Sequence, residues 1–375
     1  MNFRFKIYLL LQIIPFIFTK PEIKNQYGLV LSIILGKTDY SIKLKNNQWI
    51  ELKNRPFETL LNLLMLLRLC TSYTTQGKKL IVSTDFKNEF LIDLENISYE
   101  DENLLSLLVW GTLHGGTIID ENDKTTMGNK QTLRVGELNG KKIVETWNGV
   151  RFYLDIFIGG VIECFVQDVH RMSDDEDWTD KIVVDVGASM GDTPLYYASM
   201  GARVYAFEIE KASFDDMIET IKLNPDLADK IIPVHAGIGK EGVIEYFKDP
   251  SNKCGLHKKV TMFQSRFVDD VNPIIEKAKG YSLMSAFKEF NITHIDFLKM
   301  DCKGCEFEHS SITQEVLQRV DSLKIEYMKL EESHDVGKLL DVLKKSGFTY
   351  RLYKHIATEI KSVKQAGNIY AKKII

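Results

Sequence analysis

The chain of 375 residues is poor in several features that would settle its class at once. It has five cysteines, Cys70, Cys164, Cys254, Cys302 and Cys305. They are odd in number and scattered, which argues against a disulfide framework and for a reducing compartment. It has no basic excess: 48 Lys and Arg stand against 52 Asp and Glu, a formal net charge of −4. No global positive field follows, so nucleic acid is not an expected partner. The only basic-loop hint is "NKCGLHKKV", and an ordinary solvated loop explains that run as well.

Long apolar runs are missing too. The longest near the start, Ile7 to Phe18, follows Arg4 and Lys6 and is shorter than the roughly 20 residues needed to cross a bilayer. "TKPEIK" follows it, without a small-residue cleavage site. A helix packed in a soluble fold is the expected reading, with cytoplasmic localisation. Peripheral membrane contact through the N-terminus is the alternative, and a signal or anchor the third reading. No fixed-period repeat or low-complexity tract is present.

What is present divides the chain in two. The expected boundary separates an N-terminal α+β accessory region, 1–140, from a C-terminal domain, 141–375. In the first part, "YSIKLKNNQWIELKN" alternates about an Asn-Asn turn and predicts a hairpin. "RPFETLLNLLMLLRLC" predicts a buried helix with Pro56 in its first turn. "KKLIVSTDFKNEFLIDL" predicts a strand pair, and "EDENLLSLLVWGTLHGG" a helix ending at two glycines. Asp120 to Thr132 reads as a linker, "KKIVETWNGVRFYLDI" as a hairpin turning at Asn148-Gly149, and Glu163 to His170 as a helix.

From Lys181 strands and helices alternate. "KIVVDVG", "RVYAFEI", "KIIPVHAGIG", "HIDFLKMD" and "SLKIEYM" predict strands, and "FTYRLYKH" and "NIYAKKI" a closing pair. "DTPLYYASMG", "SFDDMIETIKLN" and "DVGKLLDVLKKSG" predict helices. This order points to an α/β fold with a doubly wound, mostly parallel sheet, which binds ligands beyond the carboxyl ends of its strands.

The most informative stretch is "VVDVGASMGDT". Gly187 and Gly191 frame the turn from the first strand into its helix. Their spacing is G-x-x-x-G, so the dinucleotide fingerprint is absent and a nicotinamide-dependent oxidoreductase is disfavoured. No Lys-Ser/Thr pair follows, so the loop is not a phosphate-gripping P-loop. Glu208 ends the second strand, about 20 residues on, where an acid accepts hydrogen bonds from two ribose hydroxyls. A nucleoside with a sulfonium and an amino-acid tail, but no pyrophosphate, fits this set, with Asp185 near the cationic end.

At these residues the chain resembles class I S-adenosylmethionine-dependent methyltransferases, and the FkbM family in particular. The resemblance rests on "VVDVGASMGDTPLYYASMGARVYAFE", "HAGIG", "LKMDCKGCEFE", "IEYM" and "GNIYAKK", and covers roughly Asn148 onwards. It implies a Rossmann-like sheet of seven strands whose last two form an antiparallel edge. The implied activity is O-methylation of a hydroxyl, with a small molecule or glycan as acceptor. The implied cofactor is S-adenosyl-L-methionine, held by Asp185, Gly187, Ala188, Gly191, Asp192 and Glu208, with Ala236 of "HAGIG" near the adenine edge. Asp301, Gly304 and Glu306 match the fourth-strand motif. Asp301 is then the first candidate for base or acceptor-orienting group, with Glu306 and His309 as weaker ones. Two positions depart from the family pattern: Lys303 stands where relatives carry an acid, and Met328 where a histidine is common. A cofactor-binding module without catalysis is the alternative those departures raise.

The remaining candidates have structural readings. Cys302 and Cys305 read as small apolar residues packed at the strand end. The rivals are a redox pair, or a zinc site completed by Cys254 and His257. Lys303 reads as solvated, as a cation that lowers the Asp301 pKa if it lies close, or as a holder for an acidic substrate group. His294 reads as structural. Glu331, Glu332, His334 and Asp335 read as a solvated loop, with a metal site as the rival; the reading as a whole does not require a metal. Trp147, Phe152 and Tyr153 read as core packing rather than a cofactor cover.

Overall fold

The computed structural model describes residues 23–55, 57–84, 88–94, 97–123, 131–156, 158–172, 177–248, 260–261, 274–308, 311–329, 332–354 and 366–374. The apolar run at 7–18 and the candidates Cys254, His257, His309 and Glu331 lie outside them. No helix of the described residues is long and apolar enough to cross a membrane. The chain divides into two compact units, Met1–Gln167 and Asp168–Ile375. The expected boundary at 140/141 falls inside the first unit's sheet, between strands Thr132–Leu138 and Lys141–Thr146, which pair antiparallel.

In the first unit the hairpin Tyr40–Lys43 with Trp49–Leu52 forms as expected, with Tyr40 opposite Leu52 and Lys43 opposite Trp49. Ile42, Ile50 and Leu52 are buried while Ser41 and Glu51 are exposed, the period of two that one-sided burial imposes. The helix Phe57–Leu69 is buried around most of its circumference, as expected: Leu60, Leu63, Leu64 and Leu67 are buried, and so are Thr59, Met65 and Leu66. The predicted strand pair is a three-stranded sheet, because Ser72–Gln76 adds to Lys79–Ser83 and Glu89–Asp93. Tyr99–Ser106 is a helix held by a reciprocal capping box between Ser98 and Asp101, and it runs on into a π-helical turn, Leu107–Gly111. The expected linker contains strand residues: Thr132–Leu138 lies parallel to Thr117–Asp120. The last helix is Ile158–Phe165; the residues to His170 continue as turns, not as helix.

The second unit is built on a sheet of seven strands, here labelled β1 (Ile182–Val186), β2 (Arg203–Glu208), β3 (Ile231–His235), β4 (Ile295–Met300), β5 (Val320–Met328), β6 (Phe348–Lys354) and β7 (Ala366–Lys373). Their order across the sheet is β3-β2-β1-β4-β5-β7-β6. The strand pairs from β3 to β5 are parallel, and β7 is antiparallel to both its neighbours, β5 and β6. Helix α1 (Asp192–Ser199) follows β1, α2 (Lys211–Leu223) follows β2, and α3 (Val336–Lys345) follows β5. Val183, Val184 and Val186 of β1 are at most 2% exposed. Such continuous burial is why β1 reads as an unbroken apolar run instead of alternating. The order of strands reverses at β1, between β2 and β4, which puts the ends of β1, β2 and β4 side by side.

A second sheet escaped the sequence reading. Gly242–Lys248 and Ile274–Tyr281 pair antiparallel, joined by the short strands Gly237–Ile238 and Val260–Thr261. Glycine and lysine interrupt its apolar pattern: "GVIEYFK" and "IIEKAKGY" alternate only in part.

Candidate active site at the strand ends

The turn after β1 is shaped by glycine. Gly187 has φ of +82°, and a Cβ built there would lie 2.0 Å from the Asp301 carbonyl oxygen. Only glycine permits both the left-handed backbone and that approach. The Gly187 and Ala188 amides donate to the Phe207 carbonyl at 2.9 and 3.0 Å, and the Asp301 amide donates to the Val186 carbonyl at 2.9 Å. The ends of β1, β2 and β4 are thereby sewn together around the turn. Gly191, φ +91°, closes the loop at the start of α1, whose first residue is Asp192, 9% exposed.

Beneath this turn lies a row of polar residues that the sequence reading missed. In register across the sheet, Asp185 of β1 is opposite Lys299 of β4, Lys299 is opposite Lys324 of β5, and Lys324 is opposite Tyr370 of β7. Asp185 is fully buried and Lys299 and Lys324 are each 4% exposed. Lys299 Nζ lies 2.9 Å from Asp185 Oδ1 and donates to the Gly187 carbonyl at 3.0 Å. Lys324 Nζ lies 3.1 Å from His170 Nδ1, and the Tyr370 hydroxyl donates to the Val169 carbonyl at 2.9 Å. A lysine in the middle of the apolar strand "IDFLKM" was the available signal. A buried cation needs an acid partner, and Asp185 is the one in register.

The electrostatics follow from burial and these partners. Burial pushes the Asp185 carboxyl up to about 6, against the pull of Lys299. Burial lowers the Lys299 ammonium, but Asp185, Asp301 and Asp192 more than reverse this and hold it above its usual range. His170 is held well below the usual histidine range by burial and by Lys324 and Lys299, so it is neutral and accepts from Lys324.

Glu208, at the end of β2, is 7% exposed. Its Oε2 accepts from the Ser189 amide at 2.8 Å and its Oε1 from the Glu210 amide at 2.7 Å. Burial pushes it up to about 7, opposed by those two amides. After β3, the Ala236 amide donates to the Glu208 carbonyl at 3.0 Å, and His235 Nε2 sits 3.1 Å from the Ile209 carbonyl.

Beyond β4, Asp301 pairs with Lys303, Nζ to Oδ1 2.5 Å, and Lys303 Nζ also lies 3.6 Å from Glu326 Oε1 of β5. Of the readings of Lys303, the one the structure bears out is a cation close enough to Asp301 to lower its pKa. Burial works to raise the Asp301 carboxyl, and Lys303 and Lys299 outweigh it, holding it down at about 2. Glu306 is 2% exposed. Its Oε2 accepts from the Gly304 amide at 2.8 Å and its Oε1 from the Met328 amide at 3.0 Å. Burial pushes it up to about 7. Glu306 therefore ties the turn after β4 to the end of β5.

The cysteines differ from their expected reading. Cys302 and Cys305 are joined in a disulfide, with Cα atoms 5.5 Å apart. Sequence composition argued against a framework of many bridges; it could not exclude one local bridge within a C-x-x-C turn. Cys302, Cys305 and Glu306 gather ligand atoms within 4.8 Å, yet the two sulfurs are committed to one another.

The remaining candidates are structural. His294 Nε2 lies 3.1 Å from Asp321 Oδ2. His334 is buried and stacks on Phe307 at 4.5 Å, and Asp335 caps α3. Glu332 reaches Lys329 at 3.9 Å. Phe152 is core of the first unit, edge-on to Phe165 at 5.6 Å.

The residues fit an adenosyl cofactor on two counts. Asp185 Oδ2 is buried without a hydrogen-bond partner, and the Gly187 turn has no side chain to fill it. Comparison with known proteins agrees. Residues 185–350 match the family model of the methyltransferase FkbM domain, a segment running from the end of β1 into β6. No curated protein matches. Among solved structures, the methyltransferase FkbM from Methylobacillus flagellatus KT aligns at 11% identity over 74% of this chain and 63% of its own, TM-score 0.34. An rRNA methylase from Streptococcus thermophilus aligns at 13% identity over 52% and 88%, TM-score 0.32. A Streptococcus mutans protein in complex with SAH aligns at 12% identity over 52% and 90%, TM-score 0.32. Scores this low carry no argument, and the assignment rests on the family match. The matched segment makes the protein a methyltransferase with S-adenosylmethionine as its cofactor. More narrowly, residues 185–350 are an FkbM-type methyltransferase domain.

Proposed function

We propose that the protein methylates a hydroxyl oxygen on a sugar, glycolipid or small molecule, at a site formed by the ends of β1, β2, β4 and β5 in a doubly wound, Rossmann-like domain. S-adenosylmethionine supplies an activated methyl group on a sulfonium. In this reading Glu208 accepts from the ribose hydroxyls with the lone pairs its amide donors leave open. Asp185 faces the cationic end, Gly187, Ala188, Gly191 and Asp192 shape the loop, and Ala236 borders the adenine. Asp301 accepts the hydrogen bond of the acceptor hydroxyl and orients its oxygen. An acid held near 2 is a weak base, so of the two roles open to Asp301 the orienting one fits better. Alignment of this kind contributes roughly 7–11 kcal/mol in the best cases. Glu306, with both oxygens on backbone amides, supports the turn that carries Asp301.

The observation that carries this reading is the Asp301–Lys303–Glu326 cluster beside the Gly187 turn. Its carboxylates outnumber its cation. A nucleic acid, whose binding depends on Lys and Arg at its backbone phosphates, is therefore a poor acceptor. Location in the cytoplasm, with peripheral membrane contact through the N-terminus, goes with a glycolipid acceptor.

Calorimetric titration with S-adenosylhomocysteine tests the cofactor half: micromolar binding is expected, and Glu208→Ala should weaken it at least about tenfold, the loss of one to two hydrogen bonds to a charged group. Unchanged affinity would remove Glu208 from the site. Mass spectrometry of extracts from cells with and without the gene tests the acceptor half. A product methylated on nitrogen or nucleic acid would overturn it.

A further inference from the structure

The turn after β4 carries chemistry that methyl transfer does not use. Four residues, Cys302 to Cys305, are closed into a ring by the disulfide. Within the ring Lys303 has φ of +51° and Gly304 +121°. A left-handed lysine is a strained backbone that persists only where its surroundings enforce it. The ring is one such restraint, and it holds the lysine that pairs with Asp301 and Glu326. It also abuts the cofactor loop: the Cβ position of Gly187 is 2.0 Å from the Asp301 carbonyl and 3.4 Å from the Cys302 Cα.

The two cysteines differ in exposure. Cys302 is partly exposed, whereas Cys305 is fully buried. Glu306 Oε2 lies 3.6 Å from Cys302 Sγ, within reach of a proton on that sulfur. An asymmetric pair of this kind has one sulfur open to attack and one that resolves.

We propose that Cys302–Cys305 is a thiol-exchange site for small thiols such as glutathione, and that its disulfide form holds Lys303 and Asp301 in the arrangement described above. A thiolate attacks Cys302 Sγ, forming a mixed disulfide and releasing Cys305 as a thiolate that takes a proton. A second thiolate attacks the small molecule's sulfur of the mixed disulfide. The Cys302 thiolate leaves and is protonated. The protein gains two electrons and two protons, and two small thiols become one disulfide. Opening the ring frees Lys303 to leave its left-handed backbone, which loosens its pairing with Asp301. Only the effect on the cofactor loop rests on the methyltransferase reading; the exchange itself does not.

The full-length protein is equilibrated with reduced or oxidised glutathione, denatured, and its thiols alkylated and counted. Three of five cysteines should react in the oxidised sample and all five in the reduced one. Five reactive thiols in both samples would overturn the proposal. In Cys305→Ala a glutathione adduct should form on Cys302, while Cys302→Ala should form none on Cys305; the reverse pattern overturns the assigned order of attack. S-adenosylhomocysteine affinity should differ by about fivefold or more between the two states, a typical coupling. The difference should vanish in Cys302→Ala. Equal affinities with a normal thiol count overturn the coupling. A normal thiol count with no cofactor binding in either state supports the exchange site and overturns the cofactor reading instead.

Discussion

Two acids at adjacent strand ends, Asp185 on β1 and Asp301 just past β4, are treated in opposite ways. Asp185 is inside the sheet, fully buried, and has one cation in register, Lys299. Burial keeps its carboxyl high, at about 6. Asp301 stands beyond the sheet, partly open, with Lys303 and Lys299 as cations, and sits at about 2. The first is an acid whose charge exists only because a buried lysine sustains it. The second is ionised at any working pH. One neighbouring pair of strands thus offers a tunable carboxylate beneath the Gly187 turn and a fixed one just past the end of β4.

The sharpest way to break this contrast is at Lys299. Lys299→Met leaves Asp185 buried with no cation and removes the donor to the Gly187 carbonyl. Breaking a buried pair from one side costs about 3–5 kcal/mol, readable as a fall in urea midpoint at constant slope. Combining it with Asp185→Asn should recover most of that loss. A single variant within about 1 kcal/mol of the parent would mean that the pair is not what sustains Asp185.

A smaller effect is expected from pH at Glu208. Its carboxyl is raised to about 7, above its value in the unfolded chain. The folded state therefore holds the proton more tightly, and the group's contribution is full below the unfolded value. It is lost as pH rises from about 4.5 to about 7, a total on the order of 3 kcal/mol. Glu208→Gln should remove that slope from the stability profile. S-adenosylhomocysteine affinity of the parent should move the other way, rising through pH 7 as the carboxylate forms. A parent profile no steeper than that of the variant would contradict the burial argument.

The same contrast explains what was legible in the sequence. The parallel strands could be anticipated because "KIVVDVG" and "SLKIEYM" are apolar runs of the kind that covered strands show, and the turn because glycines frame it; the order of the strands across the sheet could not. The place of Glu208 at the end of β2 was legible from its distance beyond them. Lys299 was not, since no local pattern says which acid in a distant segment will face a strand lysine; that is fixed by register between β1 and β4. The disulfide failed for a different reason. Cysteine counting detects frameworks, whereas a single C-x-x-C bridge depends on the backbone of its own turn. The second sheet was missed because lysines and glycines break the alternation in both of its long strands.

The finest test of the contrast is Lys303, a cation only about one-third exposed, 34% at its side chain. Lys303→Ala should change stability by no more than about 1 kcal/mol, because a partly solvated pair is screened by water. Its effect should fall on Asp301 instead. With Lys303 gone, burial is opposed by Lys299 and Lys324 alone, so the carboxyl rises toward its ordinary range. The acid limb of kcat/KM should then move to higher pH, with activity lost sooner on acidification, while rates at alkaline pH fall only through poorer orientation. Lys303→Arg should restore the parent profile. If the acid limb stays where it was in Lys303→Ala, Lys303 does not fix the charge of Asp301, and the two strand ends are more alike than their surroundings suggest.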